Sequence, residues 1–264
     1  MFDFANELET HLQKRFITDI TDKKDWTIKG FIDAKKQIYP ISVDTKLLSK
    51  ILELTILPLL VDFCKKHEFK YYLAESQIQY PDVTLEGKLL GMKKYALDIK
   101  TTYRTGTGKT TRRGFTLGSF RGCLREPHST RYSRFPYVEY KKHWILGIIY
   151  SRRQGNNIKK VYDLDELPTI KSVITDLEII LQEKYRIANF IPGSGNTANI
   201  GSITNLEKLR NGTGPFAKYG SEVFEDYWRN YLRNEDAERM GIKRPYTNLE
   251  EYFRWKKDRK KRKK

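Results

Sequence analysis

Cysteine is scarce in this chain, and its scarcity removes whole classes of protein at once. Only Cys64 and Cys123 occur, too few and too isolated for a disulfide framework or a paired-cysteine metal knuckle, so a reducing, cytoplasmic setting is expected. Histidine is nearly as rare. His11, His67, His128 and His143 show no HxxxH or HNH-like grouping, which argues against a histidine-held catalytic metal and leaves each as a surface or packing residue. Long apolar runs are missing too: residues 54–61 and 144–150 are the longest, well short of the ~20 residues of a membrane helix. Residues 1–16 lack the continuous apolar core of a signal peptide, and no internal repeat is visible.

What is abundant is positive charge. Fifty Lys and Arg stand against thirty-three Asp and Glu, a formal net charge of +17, which favours a polyanionic partner over a neutral metabolite. Residues 256–264 hold eight basic side chains and Asp258, a local +7 read as a solvated, disordered basic tail; +10 remains on the body. The chain is 39% apolar, enough for an ordinary core, so residues 1–255 are expected to form one domain.

Apolar residues recur at three-to-four spacing through Leu47, Leu48, Ile51, Leu52, Leu54, Leu59 and Phe63. This predicts a helix over 44–69 with one buried face, capped by Asp44 and kinked or broken near Leu57 by Pro58. Lys46, Lys50 and Glu53 share one side of it. Residues 80–85 read as an extended segment followed by a turn at Glu86 and Gly87. Residues 95–103 are a clear strand, whose period of two sends Leu97, Ile99 and Thr101 to one face and Asp98, Lys100 and Thr102 to the other. Residues 104–134 carry eight basic side chains and Glu126 as the one acid. Residues 144–150 suggest a short strand, 171–183 fit helix or strand, 193–201 read as a loop, and 221–233 and 248–255 look helical.

Phosphodiester hydrolysis needs a hard cation against the phosphate, carboxylates to hold that cation, and a group to orient the attacking water. Asp82 at the start of one strand and Asp98 on the next can converge on one Mg²⁺, with Lys100 projecting from the face of Asp98. Two carboxylates so close resist double ionisation without the metal, which couples metal binding to proton release. Surface ion pairing would give the same residue pattern.

Tyr80-Pro81-Asp82 followed by Asp98-Ile99-Lys100 is the P-D and D-x-K pattern of the PD-(D/E)xK nucleases. Further colinear blocks resemble EcoRV-type type II restriction endonucleases, among them Ile38-Tyr39-Pro40, Asp44-Thr45-Lys46, Phe115-Thr116-Leu117-Gly118, Gly193-Ser194-Gly195-Asn196-Thr197, Asn199-Ile200-Gly201-Ser202 and Asp226-Tyr227-Trp228-Arg229-Asn230-Tyr231. The likeness runs from about residue 38 to 231 and is weak in the first thirty residues, in 104–134 and beyond Arg233.

The resemblance implies an α/β fold with a restriction-endonuclease-like core, a central mixed β-sheet flanked by helices, and a homodimer that clamps double-stranded DNA. It makes Asp82 and Asp98 the Mg²⁺ carboxylates, Lys100 the catalytic lysine, and Glu53 an accessory catalytic and metal-binding acid. Glu53 also reads as an ion-pair partner of Lys46 or Lys50. Thr45 and Thr102 become phosphate contacts, Lys46 a further DNA-binding residue, and Tyr231 and Arg233 backbone contacts. Base reading falls to Gly193, Ser194, Gly195, Asn196, Thr197 and Asn199, where glycines allow close approach and Asn196 can pair with an adenine edge; Ala198 replaces the family's Thr. Gln77 is kept in a second loop, while Ile78 and Gln79 replace Asn and His. The implied substrate is GATATC, cut bluntly at its centre, with a cognate DNA methyltransferase as functional partner.

Three rival readings remain. Gly106-Thr107-Gly108-Lys109-Thr110-Thr111 hints at a P-loop, but Tyr103 stands where the first glycine belongs. Charge alone would equally suit a non-cleaving DNA-binding protein. The same chemistry would also serve a structure-selective nuclease.

Overall fold

The computed structural model describes residues 2–76, 78–153, 158–193 and 198–261. Its strands are, in chain order, β1 (Thr21–Asp22), β2 (Asp25–Trp26), β3 (Gly30–Ile32), β4 (Ile38–Pro40), β5 (Lys70–Leu73) and β6 (Val83–Gly87). They continue with β7 (Lys93–Tyr103), β8 (Thr116–Ser119), β9 (Tyr140–Arg152), β10 (Ile174–Glu183), β11 (Ala188–Pro192) and β12 (Asn199–Ser202). The α-helices are α1 (Phe4–Leu12), α2 (Thr18–Ile20), α3 (Thr45–Lys66), α4 (Lys184–Ile187), α5 (Leu206–Asn211), α6 (Ser221–Asn230), α7 (Asn234–Arg239) and α8 (Leu249–Lys261).

Seven strands form one mixed sheet in the order β1-β2-β10-β9-β7-β6-β5. All neighbours are antiparallel except β7 and β9, which run parallel with Asp98 opposite Ile145 and Lys100 opposite Gly147. Smaller sheets pair β11-β12-β8 and β3-β4. This is the α/β architecture with a mixed sheet and flanking helices that the sequence implied.

Alternation along the strands divides the core in two. Leu97 and Ile99 of β7 and Leu146, Ile148 and Tyr150 of β9 join a cluster completed by α1 and α3. Ile145 and Ile149 join a second cluster with β8, β12, α5, α6 and α8. Gly147 belongs to that second face because a Cβ there would lie 2.6 Å from Phe115 Cζ. The sheet is therefore the middle of three layers.

The expected helix forms as α3: the Asp44 carboxylate accepts from the amides of Lys46 and Leu47, both at 3.0 Å. Pro58 is carried inside it without ending it, because the stripe from Leu48 to Cys64 buries the helix on both sides of the proline. The turn expected at Glu86 and Gly87 falls later. Both residues pair with β7; Gly87 leaves room for Phe69, whose Cδ1 would sit 2.6 Å from a Cβ, and Gly91 at φ +65° makes the turn. The segment left open between helix and strand is β10. Residues 256–261, whose composition suggested a disordered tail, extend α8: Lys256 Nζ pairs with Asp226 Oδ2 at 2.7 Å and Arg259 covers the Trp255 ring. Among the described residues, no helix is long and apolar enough to cross a membrane.

Candidate active site

The site is assembled from a fixed loop and the middle of β7. Tyr80 is fastened on all sides: its amide donates to Tyr132 O at 2.9 Å, its carbonyl accepts from Arg134 N at 2.9 Å and Ser133 Oγ at 3.0 Å, and its hydroxyl meets His143 Nδ1 at 2.7 Å. Two residues on, Asp82 precedes β6 and accepts the Ile99 amide at 2.6 Å through Oδ2. A backbone donor aimed at the carboxylate thus sets its position relative to β7.

Lys100 Nζ bridges the acids, 2.9 Å from Asp98 Oδ2 and 3.4 Å from Asp82 Oδ2, and reaches Ile99 O at 3.2 Å. Two carboxylates and a carbonyl oxygen therefore converge on one cationic position. Burial and the nearby Asp98 charge push the Asp82 carboxyl up to about 6, against the pull of Lys100 and the Ile99 amide. Burial alone would lower the Lys100 ammonium, but Asp98 and Asp82 outweigh it and hold it above the ordinary lysine range. In this state Lys100 is a donor, not a base.

That geometry suits a divalent cation. Oxygen donors already gather around a positive charge, and one of them, Asp82, is hard to ionise without a cation. Glu53 stands apart from this pair: its carboxylate holds Lys50 at 2.8 Å and lines a groove that also reaches Asp82. Among the described residues no three metal-capable acids, histidines or cysteines cluster.

The remaining expected residues scatter around the site. Thr45, Lys46 and Thr102 line one groove with Arg112 and Arg113, two arginines that sequence reading saw only as local charge. Tyr231 is buried within the second core, its hydroxyl meeting Arg244 at 3.4 Å. Arg233 pairs with Asp236 at 3.2 Å and Glu235 at 2.9 Å. Gly193 and Asn199 close the base of their loop through Gly193 N donating to Asn199 O at 2.8 Å. Gln77, Ser194, Gly195, Asn196 and Thr197 lie outside the described residues.

A cavity of about 690 Å³ opens from Asp82, Asp98 and Lys100 towards Gly118, Arg121 and Lys184. Lys184 went unnoticed in the sequence, because a lysine at the end of an apolar strand reads as an exposed terminus.

A family profile described as restriction endonuclease EcoRV matches residues 22–257, reaching past the stretch that motifs alone connected. The type II restriction enzyme EcoRV of Escherichia coli is 35% identical over 236 residues, covering 89% of this chain and 92% of that protein. The solved NlaIV restriction endonuclease aligns over 96% of this chain and 95% of its own at 12% identity, with a TM-score of 0.44, a likeness too loose to support any conclusion.

Proposed function

Given that the chain belongs to the restriction endonuclease EcoRV family, and is by that homology a type II restriction endonuclease acting on specific DNA sites, we propose that it cuts double-stranded DNA bluntly at GATATC with Mg²⁺ held by Asp82 and Asp98. The observation that carries this reading is the convergence of both carboxylates on Lys100 Nζ, at 3.4 and 2.9 Å. Mg²⁺ bound there would neutralise the scissile phosphate and favour ionisation of a coordinated water.

The chain's own residues do the rest. The Ile99 amide keeps Asp82 in place. Lys100, freed from its carboxylates, donates to the attacking water or to a phosphate oxygen. Glu53 adds an accessory acid at the edge of Asp82. Thr45, Lys46 and Thr102 receive phosphates in the groove that Arg112 and Arg113 make positive, which fixes register without reading sequence. Arg233 and Tyr231 contact the DNA backbone only if Arg233 exchanges its acidic partners and Tyr231 its buried setting. The loop from Gly193 to Asn199 reads adenine edges, and Gln77 contributes from the second loop.

A palindromic site calls for a two-fold homodimer with one half-site per subunit. The exposed Phe31, Ile32 and Tyr39 of the β3-β4 hairpin suit contact with a second copy. A cognate methyltransferase protecting GATATC completes the system. Digestion of a defined plasmid with and without Mg²⁺, followed by sequencing of the ends, tests the proposal. Blunt fragments ending within GATATC are expected only with the metal; discrete ends at another sequence would refute the specificity and point to Ala198, Ile78 and Gln79.

A further inference from the structure

Lys184 directly follows Glu183, the last residue of β10, whose partner in β9 is Trp144. It is only 4% exposed and lines the cavity that holds Asp82, Asp98 and Lys100. Among the described residues its ammonium has neither a hydrogen bond nor an ion pair; it lies over the ring of Tyr80, with Nζ 4.8 Å from the centroid. A cation over an aromatic face is worth about 2 kcal/mol at most, whereas burying an ammonium without a counterion costs several kcal/mol. Burial pushes Lys184 below the ordinary lysine range and Lys100 adds repulsion, although Asp98, Cys123 and Glu225 work against both. Among the described residues none of these acids comes within ion-pair distance of its ammonium.

Space lies open beside the ammonium, which lines the cavity of about 690 Å³. Gly118, held at φ +93°, presents no side chain to it, and a Cβ there would stand at ordinary contact distance, 3.7 Å from Lys184 Nζ. An apolar side chain would fill this position at lower cost, yet the charge stands at the floor of a cavity whose other wall is the catalytic pair.

We propose that Lys184 is a second phosphate-contacting lysine of the active site, whose missing counterion is a phosphate oxygen of the bound DNA. This rests on the nuclease reading and deepens it: the substrate is gripped from two strands, by Lys100 on β7 and by Lys184 at the end of β10.

The test is the salt dependence of DNA binding, measured with Mg²⁺ in a Lys100→Ala background so that the duplex stays intact. Each phosphate neutralised adds about 0.9 to the slope of log affinity against log salt. Lys184→Met, with Lys184→Gln as a second neutral variant, should flatten the slope by about that amount and weaken binding about tenfold at moderate salt. Lys184→Arg should keep the slope. Thermal unfolding should find Lys184→Met at least as stable as its parent, because an uncompensated buried charge has been removed. Unchanged slopes in both neutral variants would overturn the inference and leave the nuclease reading standing; binding by the parent that ignores salt would overturn both.

Discussion

On one side of the central sheet, α1 and α3 lay a predominantly aliphatic layer over Leu97, Ile99, Leu146 and Ile148. On the other, Asp98 and Lys100 rise beside a body of aromatic rings from the last fifty residues, including Phe216, Phe224, Tyr227, Trp228, Tyr246 and Tyr252. The first side is closed mainly by shape, with a few polar ties such as His11 Nε2 to Leu59 O at 3.1 Å and Ser49 to Thr101. The second ties its rings down through their polar tips: Tyr227 donates to Phe190 O at 2.7 Å and Tyr246 to Tyr227 O at 2.6 Å, while Tyr252 reaches Asp226 at 2.5 Å. Rings fixed at their polar tips hold a layer in one form more tightly than interdigitated aliphatics do.

Adjacent residues of β7 break the comparison most sharply. Asp98→Ala should reduce cleavage at least about a thousandfold while DNA binding and the unfolding midpoint stay near wild type; gel assays for both activities, with calorimetry, check this. Leu97→Ala, one residue away on the aliphatic side, should cost about 3 kcal/mol in urea unfolding and leave turnover per folded molecule unchanged. A selective loss of turnover would show that the two faces are not independent.

Acidity tests the active-site side alone. The Asp82 carboxyl ordinarily titrates at 3.8 and is raised to about 6 in the fold. Between about pH 4 and pH 6 the folded state therefore binds more protons than the unfolded chain, and stability falls as pH rises through that window. With a chelator present, wild type should lose up to about 2 kcal/mol across it, discounted for the partial exposure of Asp82, and Asp82→Asn should remove that slope. The smallest effect expected is Tyr227→Phe, about 1 kcal/mol from one lost hydrogen bond. Loss below the error of urea melts would mean that the rings need no anchoring.

Periodicity made the aliphatic side legible. Leu48, Ile51, Leu52 and Phe63 announce the buried stripe of α3, and the alternation across 95–103 announces which residues share the face of Asp98. Asp82 and Asp98 stand out in the sequence because their spacing matches a family pattern, whereas the bridge through Lys100 depends on the Ile99 amide reaching back to Asp82, a contact that no local signal encodes. Lys184 was invisible for a related reason: its surroundings are built by Tyr80 and Gly118, more than sixty residues away in sequence. The basic tail was misread because composition reports charge and says nothing of Asp226 and Trp255, which hold residues 256–261 in a helix.

The parallel pairing of β7 with β9 sets a timetable. Lys100 cannot meet Gly147 until residues 104–139 have crossed back to the starting end of the sheet, and pairing across such a separation is slow. A ribosome that has delivered Asp82, Asp98 and Lys100 has not yet delivered Gly147 or the rings between 216 and 255. A growing chain thus carries Asp82, Asp98 and Lys100, the centre proposed for cutting DNA, while still lacking the framework that holds them together.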